Sequence, residues 1–406
     1  MQQKQEGIAL VMAMMIVALI AVVAVEISWR FELNISRSGN RWHGMQAKAY
    51  LEGAEQLAMV VLSEDAKGEE TSAVDHLGEA WAQEAEPFPT DHGWVKGTIE
   101  DAHGRLNINS LLPREDNNCP DGSQPPASGV CPETNECSKF TPAQQLFVRL
   151  LQTFNLGEEE EPVFLEKETA RLIAEALIDW LDSDSEITGF GGAESDYYDQ
   201  LEPPVSIANG PMISVSELQV IKGMTPELYR KLIPYVVALP ATESNRLNIN
   251  TISIPIIQTL TAAQPKESCD LFPMSAEVAT EIAQVIKAGE FTSLDELKDD
   301  PALPSVWLSS DQNLNFDTSL VAMAQSTYFL FFAEAAVGEE HIRRSQSLIK
   351  RGGGGSSDER NDPAGDNGSS SGNPSGQPNQ TQGQNRNGAQ GDAIEIEVVR
   401  RTDANF

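Results

Sequence analysis

Residues 8–25 form an unbroken apolar run of 18 residues, and no other stretch constrains the chain so tightly. As helix the run spans about 27 Å at 1.5 Å per residue, close to the hydrocarbon thickness of a bilayer. Ahead of it stands Met1-Gln-Gln-Lys-Gln-Glu-Gly7, so Lys4 and the starting amine mark the cytoplasmic side under the positive-inside rule. A cleavable secretory signal is the bland alternative, with Val22-Val23-Ala24 as its cleavage site. Against it, apolar residues continue at Ile27, Phe31, Ile35, Trp42, Met45, Ala49, Leu57 and Val61, mostly at intervals of 3, 4 or 7, with polar residues between. The pattern predicts one long helix running out of the bilayer, loosened near Ser38-Gly39-Asn40.

The 406 residues allow two or three domains with real cores. A formal net charge of -33 argues against broad affinity for nucleic acid, which needs a cationic face to displace counterions. A cationic partner or bound cations suit it better, and solubility alone is the plain alternative. Three of the four cysteines, Cys119, Cys131 and Cys137, sit in a Pro/Gly/Asn-rich stretch without a CxxC pair, and Cys269 lies far downstream. Zinc is disfavoured; beside an export-type N-terminus the even count reads as two disulfides in an oxidising compartment, with three pairings open.

Residues 93–103 and 104–112 both alternate like strands and are expected to open a sheet packed on the long helix. Residues 113–139 are loop by composition. From 141 to about 235 the pattern is helical, in segments 142–151, 166–181 and 214–237. Arg246-Leu-Asn-Ile-Asn-Thr251 echoes Arg105-Leu-Asn-Ile-Asn-Ser110 and is read as a short return to the sheet; helices are expected at 276–288 and 293–298. Residues 327–337, 341–350 and 394–400 read as strands. Residues 352–392 hold almost no apolar side chains, cannot offset their ordering entropy, and are expected to be a disordered loop.

A short basic leader ending in Gly7, followed at once by an apolar helix and then an amphipathic one, resembles the type IV pilin and pseudopilin N-terminus. In that family a prepilin peptidase cuts after the glycine, which here falls between Gly7 and Ile8. Most pilins carry glutamate at the fifth mature position to offset a neighbour's buried amine, and this chain has Met12 there. That departure resembles the K-type minor pseudopilin of type II secretion, as do Ala176-Leu-Ile-Asp-Trp-Leu-Asp-Ser-Asp184, Asp196-Tyr-Tyr198 with Pro203-Pro204, and Val215-Ser-Glu-Leu-Gln-Val-Ile-Lys-Gly-Met224. The resemblance implies an α+β fold: a pilin-like long helix packed on an antiparallel sheet, with a large all-α domain of helix-hairpin-helix or SAM-like type inserted in the β-region. The expected parts are a leader (1–7), a transmembrane helix (8–29), pilin-like helix and first strands (30–112), the insertion (113–325) and the closing strands (326–406). It further implies a non-enzymatic tip subunit of a periplasmic filament, single-pass in the bacterial inner membrane. Its expected partners are the I- and J-type minor pseudopilins, the major pseudopilin, the prepilin peptidase and the inner-membrane assembly platform.

Asp182, Asp184, Glu186, Glu194 and Asp196, with Asp199, crowd one turn-rich stretch. Carboxylates this dense repel unless hydrated or bridged by a cation, and calcium takes six to eight oxygens in flexible geometry. The opening Asp182-x-Asp184-x-Glu186 imitates an EF-hand and then departs from it, with Ile187 where glycine is required and Ala193 at the closing position. The resembled family binds calcium in its helical domain, so a non-EF-hand calcium site is expected here. A weaker candidate is Asp311-x-Asn313-x-Asn315-x-Asp317, whose alternative is a capped turn. Residues 215–232 and 282–297 look like helix-hairpin-helix units, which also occur in DNA-uptake proteins. A membrane-tethered DNA receptor is therefore the second reading, weakened by the anionic surroundings. No GxSxG, HExxH or GxxxxGK[ST] occurs, and the five histidines have no evident nucleophile partner.

Overall fold

The apolar run and its amphipathic continuation form a single helix, α1 (Glu6–Asp65), that passes Ser38-Gly39-Asn40 without a break. The structure is a computed structural model that describes residues 6–67, 74–112, 139–240, 246–260, 271–288, 291–292, 296–297, 299–303, 321–322, 326–338, 341–352 and 395–402. The leader up to residue 5, all four cysteines, the 311–317 oxygen cluster and nearly all of the low-complexity stretch lie outside the described residues.

The upper half of α1 packs on a five-stranded antiparallel sheet in the order β1 (Phe88–Thr90), β2 (Gly93–Asp101), β7 (Tyr328–Val337), β8 (His341–Arg351) and β9 (Ile396–Thr402). Period-2 alternation in the central strand β7 explains how one strand serves two layers. Phe329, Phe331, Ala333, Ala335 and Val337 face α1, meeting Ala47, Leu51, Ala58 and Leu62 along with Trp81. Tyr328, Leu330 and Phe332 face the other way, against Ala102, Val237 and Leu239. The helix approaches the sheet through its small residues, while the larger Ile27, Phe31, Ile35, Trp42, Met45 and Leu57 point away into solvent.

Gly93 opens β2 opposite Val337, the last residue of β7. A Cβ there would lie 1.9 Å from the Ala336 carbonyl oxygen. Gly93→Ala is expected to destabilise the sheet by about 1–3 kcal/mol through overpacking, seen as a lower urea midpoint. An unchanged midpoint would mean that β2 and β7 separate freely at this end.

Between β2 and β7 the chain leaves the sheet and builds a helical body with its own core, in which Phe147, Leu150, Leu177 and Leu218 are fully buried. Its elements are β3 (Leu106–Asn107), α2 (Pro142–Leu151), α3 (Lys167–Leu181), α4 (Ser195–Tyr198), α5 (Pro226–Leu232), β4 (Val236–Val237), β5 (Leu247–Asn248), α6 (Ile254–Thr259), α7 (Ala276–Ala288) and β6 (Val321–Ala322). Helix α2 starts on a complete capping box, with Thr141 and Gln144 bonding each other's backbone N–H and Pro142 at the first turn.

Two expectations change. Residues 104–112 are not a strand of the main sheet: after a 3₁₀ turn, only Leu106 and Asn107 are extended, and Leu106, Ile108 and Leu111 enter the helical core. The insertion thus starts just after Asp101, and residues 246–252 do not return to the main sheet. The echoed motif is instead one turn used twice. Asn107 Oδ1 accepts from Asn109 N at 3.1 Å, and Asn248 Oδ1 from Asn250 N at 3.1 Å. Each motif opens with a two-residue parallel ladder, Leu106 beside Val236 and Leu247 beside Val321. The second asparagines hold distant chain, Asn109 Nδ2 reaching the carbonyls of Met212 and Leu239 and Asn250 Nδ2 that of Phe291. Buried asparagines with all these bonds made mimic the alternation of a half-solvated strand.

Candidate functional site: a buried carboxylate cluster and an unpaired helix face

Helix α3 is apolar on most of its surface yet carries Glu175 and Asp179 one turn apart, both buried. They hold the loop that follows. Phe190 N and Gly191 N donate to Glu175 Oε2 at 3.0 and 2.7 Å, and Thr188 N donates to Asp179 Oδ1 at 3.0 Å. Gly189 takes φ +60°, and a Cβ at Gly191 would stand 2.4 Å from the Leu172 backbone, so glycine is required to fold the loop this tightly.

The folded loop brings together oxygen atoms of Asp182, Asp184 and Glu194 within 4.8 Å of one another. Asp182 Oδ1, Asp179 Oδ2 and both Glu194 oxygens are buried without a hydrogen-bond donor. Burial, then the charges of Asp184, Asp179 and Glu194, push the Asp182 carboxyl up to about 7. Burial and the same neighbours Asp179 and Asp184 raise Glu194 as well. Four orphaned, buried carboxylate oxygens are costly unless a proton or a cation compensates them, and hard oxygen donors suit a calcium-like ion. Of the five carboxylates expected from sequence, three converge. Glu186 and Asp196 stand outside the group as exposed side chains, Glu186 with its backbone N–H on Asp184 Oδ1 at 2.8 Å and Asp196 in the first turn of α4. Asp179 was missed, although an aspartate inside the apolar run Ala-Leu-Ile-Asp-Trp-Leu is the signal that could have found it.

A second convergence, Asp65, Asp75 and Glu79, brings oxygens within 4.8 Å but supplies its own cation. Arg351 bonds Asp65 Oδ2 at 2.8 Å and Asp75 Oδ1 at 2.6 Å, donates to the Ser326 carbonyl at 3.0 Å, and lies 4.6 Å over the Phe329 ring. Beside it Asp101 Oδ2 accepts from Asn248 Nδ2 at 2.9 Å, Thr251 Oγ1 at 2.7 Å and Ser326 Oγ at 2.7 Å. This buried network ties the end of β2, the second asparagine turn and the start of β7 into one junction between sheet and insertion.

Both lysines of the first hairpin are occupied within the chain, and its one arginine, Arg230, stays exposed with only its Nε on the Pro226 carbonyl of the same helix. Lys222 Nζ donates to the Gly192 carbonyl at 3.0 Å over the Tyr197 ring, and Lys231 Nζ bonds the Asn155 carbonyl. A single exposed arginine in anionic surroundings gives phosphate recognition by that hairpin little to build on.

The sequence of residues 104–241, the first part of the insertion, matches the model of the type II secretion system protein K family. The type II secretion system protein K of Klebsiella pneumoniae is 31% identical over 335 residues, covering 81% of this chain and 91% of that protein. The chain belongs to the type II secretion system protein K family. Its counterpart from Pseudomonas aeruginosa is 35% identical over 272 residues, 66% of this chain and 72% of that one. The fold is similar to a chain in the crystal structure of the GspK-GspI-GspJ complex from enterotoxigenic Escherichia coli, with a TM-score of 0.57 and 25% identity over 77% of this chain and 94% of that chain. A protein K chain is a minor pseudopilin concerned with protein transport, and its apolar N-terminal helix fits a single membrane anchor.

Proposed function

We propose that this protein K chain forms the tip of a type II secretion pseudopilus, taking part in filament initiation and in export of folded proteins across the outer membrane. The observation that carries the proposal is the unpaired face of α1. Trp42 and Leu57 are 63% and 64% exposed, and with Phe31, Ile35 and Met45 they extend the membrane-spanning surface up the flank of the body. A helix apolar on two sides, one against its own sheet and one in water, requires a second helix. In the proposal, residues 8–29 anchor the chain in the inner membrane with its bulk in the periplasm, after prepilin peptidase cleaves between Gly7 and Ile8. The exposed face packs against I- and J-type pseudopilins, with the assembly platform and the major pseudopilin elongating beneath. Met12, apolar where most pilins need glutamate, suits a subunit with no neighbour above it. The role is structural rather than catalytic.

Calcium at Asp182, Asp184 and Glu194, with Asp179 beside them, rigidifies the insertion in this reading; the orphaned oxygens of the cluster support it. The four cysteines pair as disulfides in the oxidising periplasm. Changing Trp42 and Leu57 together to serine is expected to leave the body folded, since neither side chain is buried, and to abolish co-isolation with the sister subunits and secretion. Unimpaired secretion by that variant would refute the assembly role of α1.

A further inference from the structure

The exposed apolar face of α1 is bordered on one side by cations. Arg30, Arg37, Arg41 and Lys48 recur at intervals of seven, four and seven residues, which places them on one edge of the helix. In a chain of net charge -33 such a row runs against the composition. Arg30 and Lys48 have partners on their own helix, Glu26 at 2.5 Å and Glu52 at 3.6 Å. Arg37 and Arg41 are exposed and make no ion pair among the described residues. A third such cation comes from the sheet. Arg343 on β8 lies across the helix at Gly44, where a Cβ would stand 3.2 Å from its Nη2, so the missing side chain makes room for the guanidinium.

We propose that Arg37, Arg41 and Arg343 form a recognition edge for a carboxylate-bearing helix of a sister pseudopilin, which lays its own apolar stripe on Trp42, Met45 and Leu57. The inference rests on the assembly reading above and adds the partner's chemistry. Charges flanking an apolar helix seam choose partner and orientation, as they do in coiled coils. Anionic lipid is beyond the reach of Arg41, and of Arg343 at the level of Gly44, even with the side chain extended back along the helix. With the bilayer segment ending near residue 29, an upright helix carries Arg37 about 12 Å and Arg41 about 18 Å beyond it at 1.5 Å per residue. The headgroup layer on one side is only about 5–8 Å deep. A second copy of this chain is disfavoured too, because parallel helices in register set arginine against arginine.

The test uses the full chain co-expressed with I- and J-type pseudopilins, solubilised from membranes and captured by a tag over a salt series. The wild type is expected to lose at least fivefold of its captured partners between 50 and 500 mM salt. Arg37→Glu with Arg41→Glu is expected to capture at least tenfold less at low salt, Arg37→Lys with Arg41→Lys to stay near wild type, and the distant exposed Arg230→Glu to change nothing. Normal, salt-insensitive capture by the double glutamate variant overturns the proposal. If that variant captures normally while the Trp42 and Leu57 serine variant does not, only the charged edge is wrong. If both capture normally, the assembly reading falls with it. Capture lost in nanodiscs of purely zwitterionic lipid would assign the edge to lipid and also overturn the proposal.

Discussion

Arg351→Met is expected to cost the folded body about 3–5 kcal/mol, the scale for removing one partner of a buried ion pair. The guanidinium is 3% exposed and serves Asp65, Asp75 and the Ser326 carbonyl at once. Burial pushes both aspartates up from their ordinary value, and the arginine is the main influence pulling them back. Without it the buried Asp75 faces the half-buried Asp65, and the two must either ionise uncompensated or take up protons. Methionine preserves much of the volume, so the loss reports on charge rather than on a cavity. Trp81 gives the readout, since its ring meets Phe329 edge-on at 5.3 Å and Phe329 underlies Arg351. Its fluorescence during urea unfolding should move to a markedly lower midpoint, and adding Asp75→Asn should restore part of the loss. A midpoint like that of the wild type would mean that the junction is solvated and not a buried lock.

Under the calcium proposal, removing the ion should have an effect of similar size on the insertion. An ion held at a hundredfold excess over its Kd stabilises by about 2.7 kcal/mol. For a body of this size that corresponds to a melting shift of roughly 5–10 °C. Asp182 gives the effect a direction with pH. In the ion-free protein its carboxyl titrates at about 7, against 3.8 for the ordinary group, so the folded state binds more protons than the unfolded one between those values. The ion-free protein therefore loses stability as pH rises through that window. Calcium competes with the same protons, so its stabilising effect should grow from pH 5 to pH 8. Asp182→Asn should abolish the calcium response and relieve the repulsion among the remaining carboxylates. Melting curves with and without EDTA that coincide at pH 8 would remove calcium from the account.

Local pattern carried much of this architecture. The strands β7, β8 and β9 fall within two residues of where alternation puts them, and α7 spans the residues its periodicity indicates. What failed to show was long-range. Arg351 and Asp75 are 276 positions apart, and nothing local marks either as a partner. The alternation of Leu106, Asn107, Ile108 and Asn109 was real but misleading, because the asparagines are buried and bonded across the insertion rather than facing water. On α1 the apolar periodicity was legible, but not which face the sheet would take. The sheet took the small residues Ala47 and Ala58 with Leu51 and Leu62, which allow close approach, and left the bulky ones exposed. At the carboxylate cluster the exposed acids were easy to count. Asp179 escaped because its helix reads as plain core, and Glu186 and Asp196 were included because spacing cannot tell which side chains a loop turns inward.

The account depends on an apolar rod that stays joined to the body it carries, so that body and rod leave the membrane together. The most direct measurement is the N-terminal residue of the chain recovered from inner membranes, read by peptide sequencing. Ile8 is the predicted result, with Gly7→Val leaving the leader uncut and halting secretion. A chain beginning just after Ala24 would have lost the rod, and would contradict the account.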